Sequence, residues 1–156
     1  MNRLGNIEVL APSCNMSTIM DGRGGIFTWL PKEPIHEFNM LYFLPNKVRG
    51  NHHHPEFTEY FLIVDGSGVI ITSDPNGGPD LVMHATKGTC IRTPSGTAHA
   101  FHAITAVTAI SMLSKPWDAC ERPIVHHDLV PMDEQYKRYA KEQGFEHSVE
   151  EKKQKK

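Results

Sequence analysis

Cysteine is scarce in this chain. Cys14, Cys90 and Cys120 are the three in 156 residues, an odd number with no Cys-x-x-Cys spacing. That argues against a disulfide framework, and the three read as reduced thiols of a cytoplasmic protein. No apolar run is long enough to span a bilayer, and Met1–Asn6 lacks the apolar core of a signal peptide. Excess charge is missing too. Sixteen Lys and Arg against eighteen Asp and Glu leave a formal net charge of −2, which argues against nucleic acid as the main partner. There is no internal repeat. What remains is an ordinary globular composition, 39% hydrophobic and 22% charged, in a chain long enough for one domain with its own core.

Histidine, by contrast, is abundant. Five of the ten (His52, His53, His54, His99 and His102) fall in or just after two short stretches. The first, Arg49 to Glu59, carries His52-His53-His54 and leads into the apolar run Tyr60-Phe61-Leu62-Ile63-Val64. Strand alternation puts His52 and His54 on one face and His53 on the other. It also groups Glu59 with Phe61 and Ile63, facing an interior where a carboxylate needs a partner. By itself this cluster reads equally as a surface histidine patch. The second stretch, Gly88 to His99, holds a turn at Pro94 and Gly96 and brings His99 to the start of another strand. His52, His54, Glu59 and His99 together make a donor set for one divalent ion such as Zn, Fe, Mn, Ni or Co.

Short strand candidates recur along the chain at Ile7–Leu10, Ile26–Leu30, Phe38–Leu44, Lys47–His54, Thr58–Val64, Gly68–Thr72, Leu81–Ala85, Thr89–Thr93, His99–Ile104 and Val107–Leu113. Turn signals every eight to twelve residues or so point to an all-β sandwich or barrel. Pro123–His127 reads as an edge strand, and Ala11–Met20 as irregular. Residues 133–143 have helical composition, and the charged end is expected to be disordered. The expected division is a barrel over 1–132, then a C-terminal helix and tail over 133–156.

The two stretches resemble the paired motifs of cupins. His52, His54, Glu59 and Gly66 keep the spacing of the first, and Gly88, Pro94, Gly96 and His99 that of the second. The early glycine stands at Gly50 and the final Asn position is Ala103, and neither is a ligand in the family pattern. The resemblance implies an all-β jelly-roll barrel of the cupin type with a short C-terminal helix. It also implies one metal ion on His52, His54, Glu59 and His99.

A narrower resemblance is to cupins that act on nucleotide sugars. Asp21-Gly22-Arg23-Gly24 looks like the Asp-x-Arg-Gly opening of dTDP-4-dehydrorhamnose 3,5-epimerases and dTDP-sugar 3,4-ketoisomerases. Arg49-Gly50-Asn51-His52 resembles their Arg-Gly-x-His and the cupin domain of capsular polysaccharide biosynthesis enzymes. Ser114–Asp118 resembles the segment after the last barrel strand of the ketoisomerases. The chemistry implied is isomerisation or epimerisation of a keto-sugar by proton transfer, with His52 as base. Arg23 and Arg49 would hold the diphosphate, because guanidinium forks match phosphate oxygens. His54 and Tyr60 stand beside His52 as candidate catalytic residues, and Tyr42, His53 and His102 as further proton carriers. His102 has opposite parity to His99, which would turn it outward.

One conflict stands: the epimerases work without metal, and a metal-bound His52 is not at the same time a free base. A metal explains all four residues and is the preferred reading. A mononuclear Fe(II) dioxygenase and a non-catalytic sugar- or metal-binding module are the alternatives. Such barrels often pair through an uncovered edge, so a homodimer is expected, with the N-terminal strand a candidate for exchange.

Overall fold

The computed structural model describes residues 2–13, 19–131 and 142. The segment read as a helix, 133–143, lies outside the described residues except for Glu142, as does the charged tail. Within 2–13 and 19–131 the chain forms thirteen strands and one 3-10 turn, Trp117–Ala119. Two antiparallel sheets carry the architecture. The first runs in the order β1 (Arg3–Leu4), β2 (Ile7–Leu10), β10 (Cys90–Thr93), β7 (Glu59–Asp65), β12 (Val107–Leu113), β5 (Glu37–Phe43). The second runs β13 (Val125–His126), β6 (Val48–His53), β11 (His99–Ala103), β8 (Ser67–Thr72), β9 (Leu81–Thr86). A detached hairpin, β3 (Ile19–Asp21) with β4 (Gly24–Ile26), makes a third, two-stranded sheet.

The faces follow from alternation. β7 buries Phe61 and Ile63 in the core, and β12 buries Val107, Ala109 and Leu113 at every second residue. Phe43, Phe61 and Phe101 meet between the sheets with ring centroids 5.0 to 6.3 Å apart. Burying one such ring stabilises the fold by about 1.5–3 kcal/mol. Below that aromatic cluster Ile7, Ile63, Ile70 and Val107 close the core, and above it the barrel stays open.

Two departures from the expected strands matter for the site. Of the stretch Ile26–Leu30 only Ile26 is in a strand. The rest runs on as extended chain beside the end of β2, where Ser13 N–H donates to the Thr28 carbonyl and the Trp29 indole to that of Leu10. It then crosses the outer face of the first sheet. The second departure is in β6. His99 pairs with His52 and Ala100 with Gly50, so Asn51 is an extra residue, a β-bulge. Gly50 and Asn51 take φ of 93° and 57°. A Cβ at Gly50 would lie 2.8 Å from both Ala100 Cα and the His99 carbonyl oxygen, so only glycine fits. The turn glycines fall as read, with Gly66 and Gly96 both at positive φ between strands.

Candidate metal centre and cavity

The bulge lies before the histidines, so alternation holds through them. His52 and His54 face into the barrel, while His53 turns outward and pairs with His127. Glu59 opens β7 on the inner face, and His99 opens β11 directly opposite His52. The four side chains expected as ligands therefore converge. The ring of His52 lies 4.6 Å from that of His54 and 4.9 Å from that of His99. Coordinating nitrogens of all three histidines fall within 4.8 Å of one another. Glu59 Oε1 is 3.4 Å from His99 Nε2 and 3.7 Å from His54 Nε2.

Hydrogen bonds aim these groups. His54 Nδ1–H donates to the Pro123 carbonyl at 3.0 Å, and His99 Nδ1–H to that of Thr97 at 3.0 Å. Each bond commits Nδ1 as the donor, so in the neutral ring Nε2 turns a lone pair towards Glu59. His54 Nε2 is fully buried with no hydrogen-bond partner. Ser111 Oγ–H donates to Glu59 Oε2 at 2.8 Å, leaving Oε1 facing the imidazoles. Phe57 stacks on the His54 ring at 4.3 Å. Two lone pairs and a carboxylate oxygen thus confront one another with no donor between them, an arrangement that a proton or a cation completes. Atoms that share one Zn ion at about 2.0–2.2 Å lie roughly 3–3.5 Å apart; the Glu59–His99 separation of 3.4 Å falls in that range, Glu59–His54 at 3.7 Å lies just outside it, and the histidine nitrogens are within 4.8 Å of one another. The residues fit a divalent ion.

The electrostatics agree. Burial pushes the His52 imidazole well below its usual range, helped by the neighbouring His99 and His54. Burial alone would raise the Glu59 carboxyl, but the imidazoles of His54 and His99 outweigh it and hold the carboxyl well below the usual range. Burial lowers His99 and the Glu59 carboxylate raises it, with a net rise. The Glu59 carboxylate is therefore charged and His52 neutral, while the proton that the carboxylate favours on His99 is one that a bound metal ion would displace.

Above the cluster opens a cavity of about 270 Å³. Its walls are mainly apolar, among them Leu41, Phe43, Ile91, Leu113 and Ile124. Arg49 also lines it, with its guanidinium carbon 5.7 Å from the centre of the Phe43 ring. Ile124 and the Pro123 carbonyl belong to a strap, residues 120–130, that closes one side. Asn51, fully buried, anchors that strap. Its Nδ2 donates to the Val130 carbonyl, its Oδ1 accepts from the N–H groups of Leu129 and Val130, and its own carbonyl accepts from His127 N–H. Glu56 holds the other end through Arg122 N–H and Lys115. Sequence reasoning missed Asn51 and Ser111. Asn51 stood in the Arg49-Gly50-Asn51-His52 motif, but nothing in that motif marked it as the anchor of a distant strap.

Two expected site residues are not brought to the cavity. Tyr60 follows Glu59 and so points to the opposite face of β7. There its hydroxyl donates to Glu33 and accepts from Lys32 N–H, under the crossing segment. Arg23 lies on the β3–β4 hairpin with its side chain 88% exposed, paired with Asp21 at 2.6 Å. Of the further proton carriers, Tyr42 is exposed on the outer face of β5. His102 is set at the parity opposite to His99 and does not line the cavity.

A family model described as Cupin matches residues 37–119, more than half of the chain. No curated protein sequence matches. Among solved structures the chain is similar to a 3,4-ketoisomerase from Helicobacter canadensis, at 16% identity and TM-score 0.65, over 78% of this chain and 90% of that one. It is similar to a double mutant of ChmJ, a 3'-monoepimerase from Streptomyces bikiniensis in complex with dTDP, at 16% identity and TM-score 0.66, over 81% and 72%. It also resembles the capsular polysaccharide assembling protein CapF from Staphylococcus aureus, at 21% identity and TM-score 0.54 over 70% of this chain, and spans about a third of that protein, 32%. At these identities the likeness is one of fold, the two-sheet barrel described above, and with the motif match it shows that the chain belongs to the cupin family.

Proposed function

We propose that this cupin is a sugar-nucleotide isomerase or epimerase that holds a divalent metal ion, Zn, Fe, Mn or Ni, and moves a proton beside a keto group. The observation that carries the reading is a single cavity with the His/Glu cluster at its floor and Arg49 on its wall. The structural likeness to a ketoisomerase and to a monoepimerase with dTDP supports it.

His54, Glu59 and His99 would hold the ion, the two histidines aimed by carbonyls on their far nitrogens. When bound, the ion supplies a Lewis acid that polarises a keto oxygen. His52 differs from the other two. Among the described residues its ring nitrogens take no hydrogen bond, and burial keeps it neutral. With Tyr42, Tyr60, His53 and His102 all turned away, it is the imidazole left to act as base. It would take the proton from the carbon beside the carbonyl. Return of a proton to the same carbon from the opposite face, by a second donor, gives the epimer; return to the former carbonyl carbon, with the hydroxyl proton passing from one oxygen to the other, gives the keto isomer. Arg49 would bind the diphosphate with paired N–H donors, and the apolar walls keep water from the enolate.

The test is binding and turnover with a panel of dTDP- and UDP-linked keto-sugars, with dissolved oxygen monitored. Binding with isomerisation and no oxygen uptake is expected, whereas oxygen uptake in step with substrate loss would make the protein an oxygenase. Arg49→Ala should weaken a nucleotide sugar by about 2 kcal/mol, the low end for a lost charge pair, and leave the free sugar unchanged. His52→Asn should stop turnover and keep the metal, and loss of the metal in that variant would assign His52 to ligation alone.

A further inference from the structure

The two histidines that confront Glu59 are aimed in different ways. His99 Nδ1–H donates to the Thr97 carbonyl, two residues back in its own turn. His54 Nδ1–H donates to the Pro123 carbonyl, 69 residues away on the strap. A carbonyl two residues off arrives with the local backbone, whereas one on the strap is in place only while the strap is closed. Four hydrogen bonds tie that strap to a single residue. Asn51 Nδ2 donates to the Val130 carbonyl at 2.8 Å, and Asn51 Oδ1 accepts from Leu129 N–H at 3.2 Å and from Val130 N–H at 2.9 Å. The Asn51 carbonyl accepts from His127 N–H at 2.6 Å. Between Pro123 and His127 the strap also pairs with the barrel as β13, Val125 opposite His53 and His126 opposite His52. An amide suits this place. It accepts two N–H groups and donates to a carbonyl at once, where a carboxylate could only accept. Asparagine also tolerates the left-handed backbone of the bulge, φ 57°.

We propose that Asn51 is a positioning residue for the metal site. By holding the strap closed it keeps the His54 proton on Nδ1 and the Nε2 lone pair towards Glu59, so that strap closure and ion binding favour each other. The inference rests on the reading of His54 as a metal ligand. A neutral imidazole carries its proton on either nitrogen, and the bond made by one nitrogen selects the tautomer. With the strap released, His54 is free to turn and to protonate Nε2, the atom that must be bare for ligation. The converse follows from linkage. An ion held by His54 Nε2 leaves the proton on Nδ1, facing the Pro123 carbonyl, and so favours the closed strap by the same factor. Ile124, which walls the cavity, rides on that strap. Occupancy of the floor and closure of the wall are then coupled through one imidazole.

Asn51→Gly tests this on the full chain, because glycine accepts the positive φ without strain and the change removes only the side-chain amide. Nitrogen-15 NMR of the metal-free protein reads the tautomers. In the wild type His54 should carry its proton on Nδ1. In Asn51→Gly that proton should spread to Nε2, while the signals of His99, whose carbonyl is local, stay unchanged. Competition with a chelator should show Zn bound about tenfold more weakly by the variant, the low end for loss of a group that orients a ligand. Hydrogen exchange on the wild type should slow at the amides of His127, Leu129 and Val130 on Zn loading, by a similar factor. That comparison needs no substitution, so it decides the matter even where Asn51→Gly fails to fold, which thermal unfolding checks. A folded variant with the wild-type His54 tautomer or the wild-type Zn affinity would overturn the proposal. So would strap exchange that Zn leaves unaltered in a wild type that binds it. A wild type without affinity for Zn would instead overturn the reading of the cluster as a metal centre, and the coupling with it.

Discussion

Glu59 and Tyr60 are neighbours in the chain, and strand alternation sends them into two different chemistries. Inside the barrel Glu59 faces His54 and His99. Outside, Tyr60 donates to Glu33, which grips Arg92 through both oxygens, while Lys32 and Glu8 pair close by. Each region is built around one carboxylate, and both carboxyls are held low. The outer network is complete in itself. Arg92 is always charged and its fork fits the carboxylate, so nothing further is required. The inner cluster is not complete. Its imidazoles have given their donors to backbone carbonyls, and His54 Nε2 is buried without a partner. A finished ion pair belongs to stability, and an unfinished one points to a ligand.

Substitutions can break or sharpen that contrast. The largest effect is expected inside. Glu59→Gln keeps the shape and removes the charge, and it should weaken metal binding by more than about 100-fold, beyond what loss of a supporting bond costs. Metal content after competition with a chelator reads this, and wild-type content would remove Glu59 from the ligand set.

Arg92→Ala should act on stability alone, at a cost of about 3 kcal/mol, because it strands Glu33 in a half-buried place. Metal content should not change. The pH dependence follows from Glu33. The Arg92 guanidinium, with help from Tyr60, lowers its carboxyl from 4.5 to about 2. A carboxyl lowered on folding stabilises fully above its unfolded value, and that contribution is lost as pH falls towards the folded one. The gap in Tm between wild type and Arg92→Ala should therefore be widest above pH 5 and narrow between about pH 4.5 and 2. A gap constant over that range would show that Glu33 is not the group involved.

The smallest effect is expected from Ser111→Ala, which leaves the charge of Glu59 and removes the hydroxyl that orients it. About tenfold weaker metal binding should follow, with little change in Tm. An unaltered affinity would mean that the imidazoles alone set the position of Glu59.

Much of this was legible in the sequence because it depends on local period. Val107–Leu113 and Ile7–Leu10 coincide with the strands read from alternation, and parity alone placed His52, His54 and Glu59 on one side. The same rule excludes Tyr60 from the cavity, since it cannot share a face with Glu59. The remainder was hidden because it depends on contacts between distant residues. That the Pro123 carbonyl meets His54 follows from where a strap crosses the barrel, and no local pattern encodes it. Arg23 shows the limit of a short motif, which marks the chemistry of a residue and not its address.

The bulge at Asn51 has one more consequence, for where this molecule ends as a working unit. The segment that carries the family pattern stops at residue 119, and all four candidate ligands lie within it. A chain trimmed to that boundary would still look complete by motif. It would lack the carbonyl that turns His54, the isoleucine that walls the cavity, and the backbone that satisfies a fully buried amide. The pattern by which relatives are recognised is therefore shorter than the unit that forms the cavity, and the difference is the strap that a single bulged residue holds in place.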